Sequence, residues 1–361
     1  MEQIKGLIKW LLSIGPIRAV YNFVMRSLAK IGASNRLTST MYYIPSFLTF
    51  NREQFAVLRG RRGYYNNLKK ARDSRVELRR NIHRLEKGLL MRPRRDVFAK
   101  DYIGETVEFY KAATDDLAGR IDDSEIIWAQ NVLSAYFTAI TLQDKVVDKA
   151  RTVFEETLFK PDVSDKIPYE RGSPESSVSY DDFLRLSEQR RSVRWFKQKK
   201  VPRKLVDQAL MVARQSPSAC NRLPYEYKIF DDPEMVKRVA GLPFGAAGYR
   251  ENIPMIAVVV GKLDSYFSPR DRHNIYIDAS LSAMSFMYAL ETLGLASSVI
   301  NWPDFEPLER KMQKTLKLKT HERPIMLLAI GFADPKGKVA YSQKKDLKVL
   351  RSYNSINGWR P

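Results

Sequence analysis

Three guanidinium groups and a hydroxyl fall within five residues at Arg190-Arg191-Ser192-Val193-Arg194. A guanidinium presents paired N–H donors that match two phosphate oxygens, and an extended or turning backbone converges several of them on one anion. The chemistry this run offers is phosphate binding, although runs of this kind also sit on plain solvated faces. A second stretch, Ser216-Pro217-Ser218-Ala219-Cys220-Asn221-Arg222-Leu223-Pro224-Tyr225, frames small polar residues between two prolines. Such a loop is stiff and lets backbone approach a flat ligand closely, with Asn221 and Arg222 as polar contacts; the plainer reading is a helix-to-strand connection. No histidine lies near Cys220 in sequence, so this thiol reads as small and half-buried rather than as a nucleophile. His83 and Glu86 are three apart on one helical face, with Lys87 and Gly88 following. They read as a salt-bridged helix end with glycine as its stop, a substrate or metal role being the alternative.

Other site chemistries are excluded. The chain has no G-x-G-x-x-G or G-x-x-x-x-G-K phosphate loop, no H-E-x-x-H, no C-x-x-C and no G-x-S-x-G. Gly245-Ala246-Ala247-Gly248 reads as a tight turn. One cysteine excludes an intramolecular disulfide framework and a Cys-rich zinc module, and it fits a reducing, cytoplasmic compartment. The three histidines, His83, His273 and His321, stand too far apart to suggest a metal site, so no metal is expected.

The elements that must position these residues come from a chain of 361 residues, enough for about two domains. Apolar residues make up 44%, enough for a core and too many for wholesale disorder. The net charge of +20 is uneven: residues 1–100 carry 22 Lys and Arg against 6 Asp and Glu, so +16 of it lies there. Such asymmetry points to a membrane surface, a nucleic acid or another polyanion, or to a solvated basic surface. No nucleic-acid-binding motif accompanies the charge, and no nucleic-acid partner is expected. Residues 1–30 mix Trp10, Leu11, Leu12 and Phe23 with Lys5, Lys9, Arg18 and Arg26, interrupted by Pro16. Two readings stand: an amphipathic helix on an anionic membrane surface, or a helix docked on this protein or a partner. No apolar run reaches 18 residues, so no membrane span is expected.

Residues 1–160 read as an all-helical, basic N-terminal domain, with apolar three- and four-residue spacing over Asp101–Tyr110 and Glu125–Val147. Residues 161–180, with Pro161, Pro168, Gly172 and Pro174, read as a linker. Residues 181–361 then alternate. Helices are expected over Pro202–Arg214, Asp232–Ala240 and Ile275–Leu293, and strands over Glu226–Phe230, Ile253–Val260, Ser297–Ile300 and Ile325–Ile330. Ile253–Val260 is apolar and β-branched throughout, as expected of a buried strand.

Taken in order, RRSVRWF, PSACNRLPY, IPMIAVVVG, DASLSAMSFMYALETLGL, ASSVINWPD and RPIMLLAIGFADP resemble the flavin-dependent nitroreductase superfamily over about residues 180–355. Arg79–Ile103 (RRNIHRLEKGLLMRPRRDVFAKDYI) is similar to a block in larger nitroreductase-like proteins of bacterial surface-polysaccharide loci. The resemblance implies an α+β fold, a nitroreductase-like mixed sheet flanked by helices. It also implies a homodimer with FMN at the subunit interface and NAD(P)H as electron donor. By that resemblance Arg190, Arg191, Ser192 and Arg194 hold the FMN phosphate and ribityl chain, and Lys344 or Lys345 completes the phosphate site. Pro217, Ser218 and Asn221 come from the opposite subunit against the flavin ring, Arg222 sits near its pyrimidine edge, and Asn301 and Trp302 pass close to the nitrogen that exchanges hydride. The chain departs from the family at Leu223 and Tyr225, in a loop that usually runs N-x-Q-P-W. It departs again at Gly245–Gly248, where large members carry Gly-Asn-x-Gly with the Asn on the flavin ring.

The function implied is an FMN-dependent oxidoreductase passing electrons from NAD(P)H to a small-molecule acceptor. A nitro compound, a quinone, an enone and a saccharide-linked intermediate all stay open, with surface-polysaccharide metabolism as a setting. The flavin carries the hydride chemistry, so no dedicated catalytic side chain is required. The alternative is a catalytically weakened flavin-fold scaffold at the membrane. The expected location is cytoplasmic, peripheral at the inner face of the membrane.

Overall fold

The structure, a computed structural model, describes residues 10–11, 13–44, 50–69, 75–115, 124–157, 166–173 and 175–354. The chain divides into two compact units, Met1–Ala56 and Val57–Pro361. Lys5, Lys9 and Leu12 of the basic N-terminal segment lie outside the described residues, as do residues 161–165 and 174 of the expected linker.

The first unit holds helices α1 (Gly15–Gly32) and α2 (Arg36–Tyr43). Pro16 occupies the first turn of α1, where its missing N–H would have had no partner, just past a break at Ile14 that separates α1 from the helical residues Trp10, Leu11 and Ser13. Asn35 caps α2 reciprocally: its Oδ1 accepts from Thr38 N at 3.0 Å, and Thr38 Oγ1 accepts from Asn35 N at 3.2 Å. On α1 the apolar row Ile17, Val20, Tyr21, Val24, Leu28 and Ile31 is exposed. Arg18, Asn22, Arg26 and Lys30, spaced by four, form an exposed polar row beside it.

Helix α3 (Asn51–Lys69) runs on into the second unit, followed by α4 (Val76–Leu89), α5 (Ile103–Asp115), α6 (Ser124–Ala139) and α7 (Lys145–Glu155). Helices α4 to α7 share one apolar core in which Leu78, Ile82, Leu85, Ile103, Val107, Tyr110, Leu133 and Tyr136 are buried. Their three- and four-residue spacing puts each set on one helical face. The spacing over Glu125–Val147 belongs to two helices. Asp144 ends the continuity by accepting from Val146 N at 3.0 Å and Val147 N at 3.3 Å, which caps α7.

The rest of the unit is α8 (Tyr180–Gln189), α9 (Arg203–Ala213), β1 (Tyr225–Phe230), α10 (Pro233–Ala240), β2 (Met255–Lys262), α11 (Asn274–Thr292), β3 (Ala296–Asn301), α12 (Glu306–Leu316), β4 (Glu322–Gly331) and α13 (Leu347–Leu350). The strands form one sheet in the order β1-β2-β4-β3, with every ladder antiparallel. The described strands therefore form an antiparallel sheet rather than the expected mixed one; a single parallel bridge joins Ser192, outside the named strands, to Ser297. Strand β2 is buried from Met255 to Gly261, as its apolar run demands. Ile256, Val258 and Val260 face a core shared with Val236 and Val239 of α10 and Leu308 and Met312 of α12. The long helix α11 also packs on β2. The register slips between Val259 and Val260, opposite Met326 and Pro324. A bulge is where a strand tolerates a proline that cannot donate to the ladder. The whole is an α+β fold, a sheet flanked by helices and preceded by helices.

Within Val57–Pro361, Gly60 of α3 lies so close to Leu263 that an added Cβ would be 2.8 Å from its Cβ and 2.9 Å from its backbone. Gly60→Ala is expected to destabilise the fold by about 1–3 kcal/mol through overpacking, although alanine is the better helix former. Gly104→Ala, with open space around it, is expected to be neutral or to stabilise by up to about 1 kcal/mol. Urea midpoints of the two variants check the pair.

Candidate functional site

Helix α8 stops because Arg190 leaves the helical region (φ −60°, ψ 111°), so the chain runs directly into the arginine segment. That segment lies along the sheet. Val193 N donates to Ser297 O at 3.0 Å, Lys197 N to Phe332 O at 2.8 Å, and Trp195 O accepts from Asp334 N at 3.0 Å. Phe196 N donates to Asn252 Oδ1 at 2.5 Å. The backbone is therefore fixed from both ends while Arg190, Arg191, Ser192 and Arg194 stay half-buried or exposed.

Arg191 Nη2 donates to Tyr341 O at 2.7 Å, which ties the C-terminal segment bearing the exposed Lys344 and Lys345 to this segment. Arg194 lies over the Tyr249 ring, 5.9 Å from its centroid. Arg190 Nε and Ser297 Oγ are buried without a hydrogen-bond partner. Buried donors are almost always satisfied, so orphans among clustered guanidiniums fit an anion that is not part of the chain. The residues present suit the phosphate of a mononucleotide such as FMN.

The loop between α9 and β1 is held from beneath by α11. Asp278, buried, accepts from Ala219 N at 3.0 Å and from the Tyr266 hydroxyl at 3.2 Å. Burial pushes the Asp278 carboxyl above the usual carboxylate range. Ser216 Oγ reaches Ser285 Oγ at 2.9 Å, and Ser218 Oγ accepts from Leu223 N at 3.0 Å. Cys220, Asn221 and Leu223 all have positive φ, of 54°, 52° and 50°. Side-chain-bearing residues hold that conformation only where their surroundings impose it. Arg222 is buried, lies over the Tyr266 ring at 4.9 Å from its centroid, and keeps an orphaned Nε. Cys220 is half-buried.

At the end of β3, Asn301 is exposed and Trp302 is buried. Trp302 packs in the sheet core and donates from Nε1 to Glu309 Oε1 at 2.7 Å. Glu309, itself buried, lies 3.7 Å from Arg323, which also pairs with Asp304 at 3.0 Å. Phe244–Ala246 is a short 3-10 turn whose Ala246 is fully buried in the sheet core. His83 Nδ1 lies 3.0 Å from Glu86 Oε2, whose other oxygen accepts from Trp128 Nε1 at 2.9 Å, a helix-face pair. Of three described clefts, one of about 620 Å³ is lined in part by Leu89, Arg92, Tyr169 and Arg171 and one of about 540 Å³ by Lys199, Lys200, Lys237 and Arg250; one of about 350 Å³, lined in part by Leu210, Met211, Tyr225 and Tyr227, adjoins the end of the loop at Tyr225.

Sequence reasoning missed Asp278, Tyr266, Asn252 and Arg79. Asp278 carried a signal, since it is a carboxylate set among apolar and small residues in the first half of a largely apolar helix. Arg79, which donates to Asn221 O at 3.0 Å from 142 residues away in the chain, carried none.

Comparison with known proteins follows this geometry. A model of the nitroreductase family matches residues 188–247 and 250–332. A Methanothermobacter thermautotrophicus protein, provisionally named an NADH dehydrogenase/NAD(P)H nitroreductase, is 23% identical over 163 residues, which is 44% of this chain and 81% of its own. An iodotyrosine deiodinase of Haliscomenobacter hydrossis is 24% identical over 211 residues, 50% of this chain and 93% of its own. Among solved structures, an FMN-dependent nitroreductase from Clostridium difficile is 20% identical with a TM-score of 0.42, covering 48% of this chain and 99% of its own.

The Asp278 contacts make a prediction of definite sign. With its pKa raised, the folded chain holds this proton more tightly than the unfolded chain does. The associated stability is present below the unfolded value and is lost as pH rises through the folded one. Asp278→Asn, always uncharged and still an acceptor for Ala219 N–H, should therefore lose less stability than wild type as pH rises from about 4. Asp278→Ala should cost about 1–3 kcal/mol by orphaning that N–H. Urea unfolding of the three proteins across pH checks both.

Proposed function

We propose, from the nitroreductase-family match over residues 188–247 and 250–332, that the chain is an FMN-dependent oxidoreductase carrying electrons from NAD(P)H to a small-molecule acceptor. The observation that carries the reading is the Arg190–Arg194 segment, laid against Ser297 with orphaned donors on Arg190 and Ser297. Arg190, Arg191, Ser192 and Arg194 hold the phosphate end, with Lys344 or Lys345 brought near by the Arg191–Tyr341 contact. Pro217, Ser218, Asn221 and Arg222 present the loop to the ring, Arg222 offering positive charge to the pyrimidine edge, where electron density gathers on reduction. Asn301 is exposed at the end of β3 and free to face the ring. Trp302 acts from behind it, fixed by Glu309. FMN, when bound, supplies two-electron hydride chemistry. The setting suggested by the Arg79–Ile103 block is surface-polysaccharide metabolism. A second reading, a weakened flavin-fold scaffold, is favoured by Ala246: a methyl group buried in the core offers no polar contact to a ring. Retained flavin that NAD(P)H fails to bleach selects it.

The working unit of this reading is a homodimer. Met211, Val212, Ile277 and Leu281, on the paired helices α9 and α11, are large apolar residues left exposed, as an interface requires. Among the described residues no helix is long and apolar enough to cross a membrane. Residues 1–30 instead meet an anionic membrane surface, cytoplasmic side, through the exposed apolar and basic rows of α1. Between Glu2 and Glu53 there are seven Lys and Arg and no Asp or Glu. Each cation near such a surface contributes about 1 kcal/mol.

Two measurements test these assignments. Arg191→Ala combined with Arg194→Ala should weaken FMN binding at least about tenfold, since a charge-assisted hydrogen bond is worth about 1.5–3 kcal/mol. Unchanged affinity in a fluorescence titration rejects the phosphate assignment. The full-length protein should sediment with vesicles rich in anionic lipid at low salt and be released at high salt or on deleting residues 1–30. Protein that stays in the supernatant at low salt rejects the membrane contact.

A further inference from the structure

Within Val57–Pro361, helix α4 packs against the turn Ala219–Asn221. Arg79 uses its guanidinium twice: Nε donates to Asn221 O at 3.0 Å, and Nη1 lies 3.1 Å from Glu125 Oε1. Its plane also lies over Trp128, 5.5 Å from the ring centroid. Only arginine offers two donors fixed in one plane for such a bridge. Arg80 is 2.9 Å from Glu77 Oε2 and lies over the Phe267 ring. The other oxygen of Glu77, a buried residue, accepts from the Tyr64 hydroxyl of α3. Burial, and after it Glu77, pushes the Tyr64 hydroxyl up, so it remains a donor.

On its far side the same loop is held by Asp278 and Tyr266. The segment with three side-chain-bearing residues at positive φ is thus held by α11 and by α4, which α3 backs through the Tyr64–Glu77 hydrogen bond. Backbone in that region persists only where neighbours over-determine it.

We propose that α3 and α4 are a built-in clamp that sets the shape of the loop Ser216–Pro224 for the flavin ring, with Arg79 as its positioning residue. The helices ahead of the sheet are then part of the redox site without touching the reacting atoms. The link to the ring rests on the flavin reading above; the clamp itself rests on the contacts.

Cys220 is the chain's one cysteine, so a thiol reagent reads this loop alone in the full-length protein. Arg79→Met should raise the rate of Cys220 labelling about tenfold, the factor set by one lost charge-assisted hydrogen bond. It should also weaken FMN binding and alter the absorption band of bound flavin. Arg79→Lys, which keeps a cation and one donor, should recover part of each effect. Arg84→Met is the control: Arg84 sits on the same helix but pairs with Asp101 and lies over Tyr102, and it should leave labelling unchanged. Wild-type labelling in Arg79→Met and Arg79→Lys overturns the clamp. Faster labelling with wild-type FMN affinity and spectrum overturns its link to the flavin. A wild-type protein that binds no FMN fails the flavin reading instead, and the labelling rates still decide the clamp.

Discussion

The structure depends on how the edge of β3 is closed. An edge strand leaves backbone donors and acceptors open, and a fold must cover them or blunt them. Here the covering segment is the arginine run itself. Ser192 and Val193 meet Ser297, and Phe196 and Lys197 meet Ala333 and Phe332 just past β4. These backbone contacts cover the edge at Ser297 and lay out Arg190, Arg191 and Arg194. A functional segment on a loop is as precise as the elements that hold it, and this one is held by β3, by the segment just after β4 and by Asn252.

The loop Ser216–Pro224 is positioned by the opposite means, charged side chains that are buried or half-buried. Asp278 takes a backbone N–H from Ala219, Arg79 supplies an N–H to Asn221 O, and Arg222 lies over Tyr266. Buried charged groups are costly unless each finds partners, and a loop so held has few alternative shapes. The arginine segment and this loop share one scaffold: α11, which grips the loop through Asp278, also packs on β2 and β3.

Much of the fold was legible. The four strands fall within a few residues of the segments read as strands, and for β2 and β4 burial on both sides leaves a continuous apolar signal. The buried strand starts at Met255 rather than Ile253, since Pro254 between them has no N–H to pair. Less legible was anything set by direction or by distance along the chain. Pro16 is a helix start or a break depending on what precedes it. Trp302 occupies a position read as close to the flavin, yet its indole is turned into the core by Glu309, a carboxylate whose burial no periodicity signals. Arg79 reads as one cation in a basic block, and only the folded chain shows that it grips a loop 142 residues away.

The central claim, that this scaffold holds a flavin mononucleotide, is tested most directly by the mass and absorption spectrum of the small molecule released when the purified full-length protein is denatured. The account predicts FMN, close to one per chain after reconstitution. A protein that carries no flavin and binds none when FMN is added contradicts it.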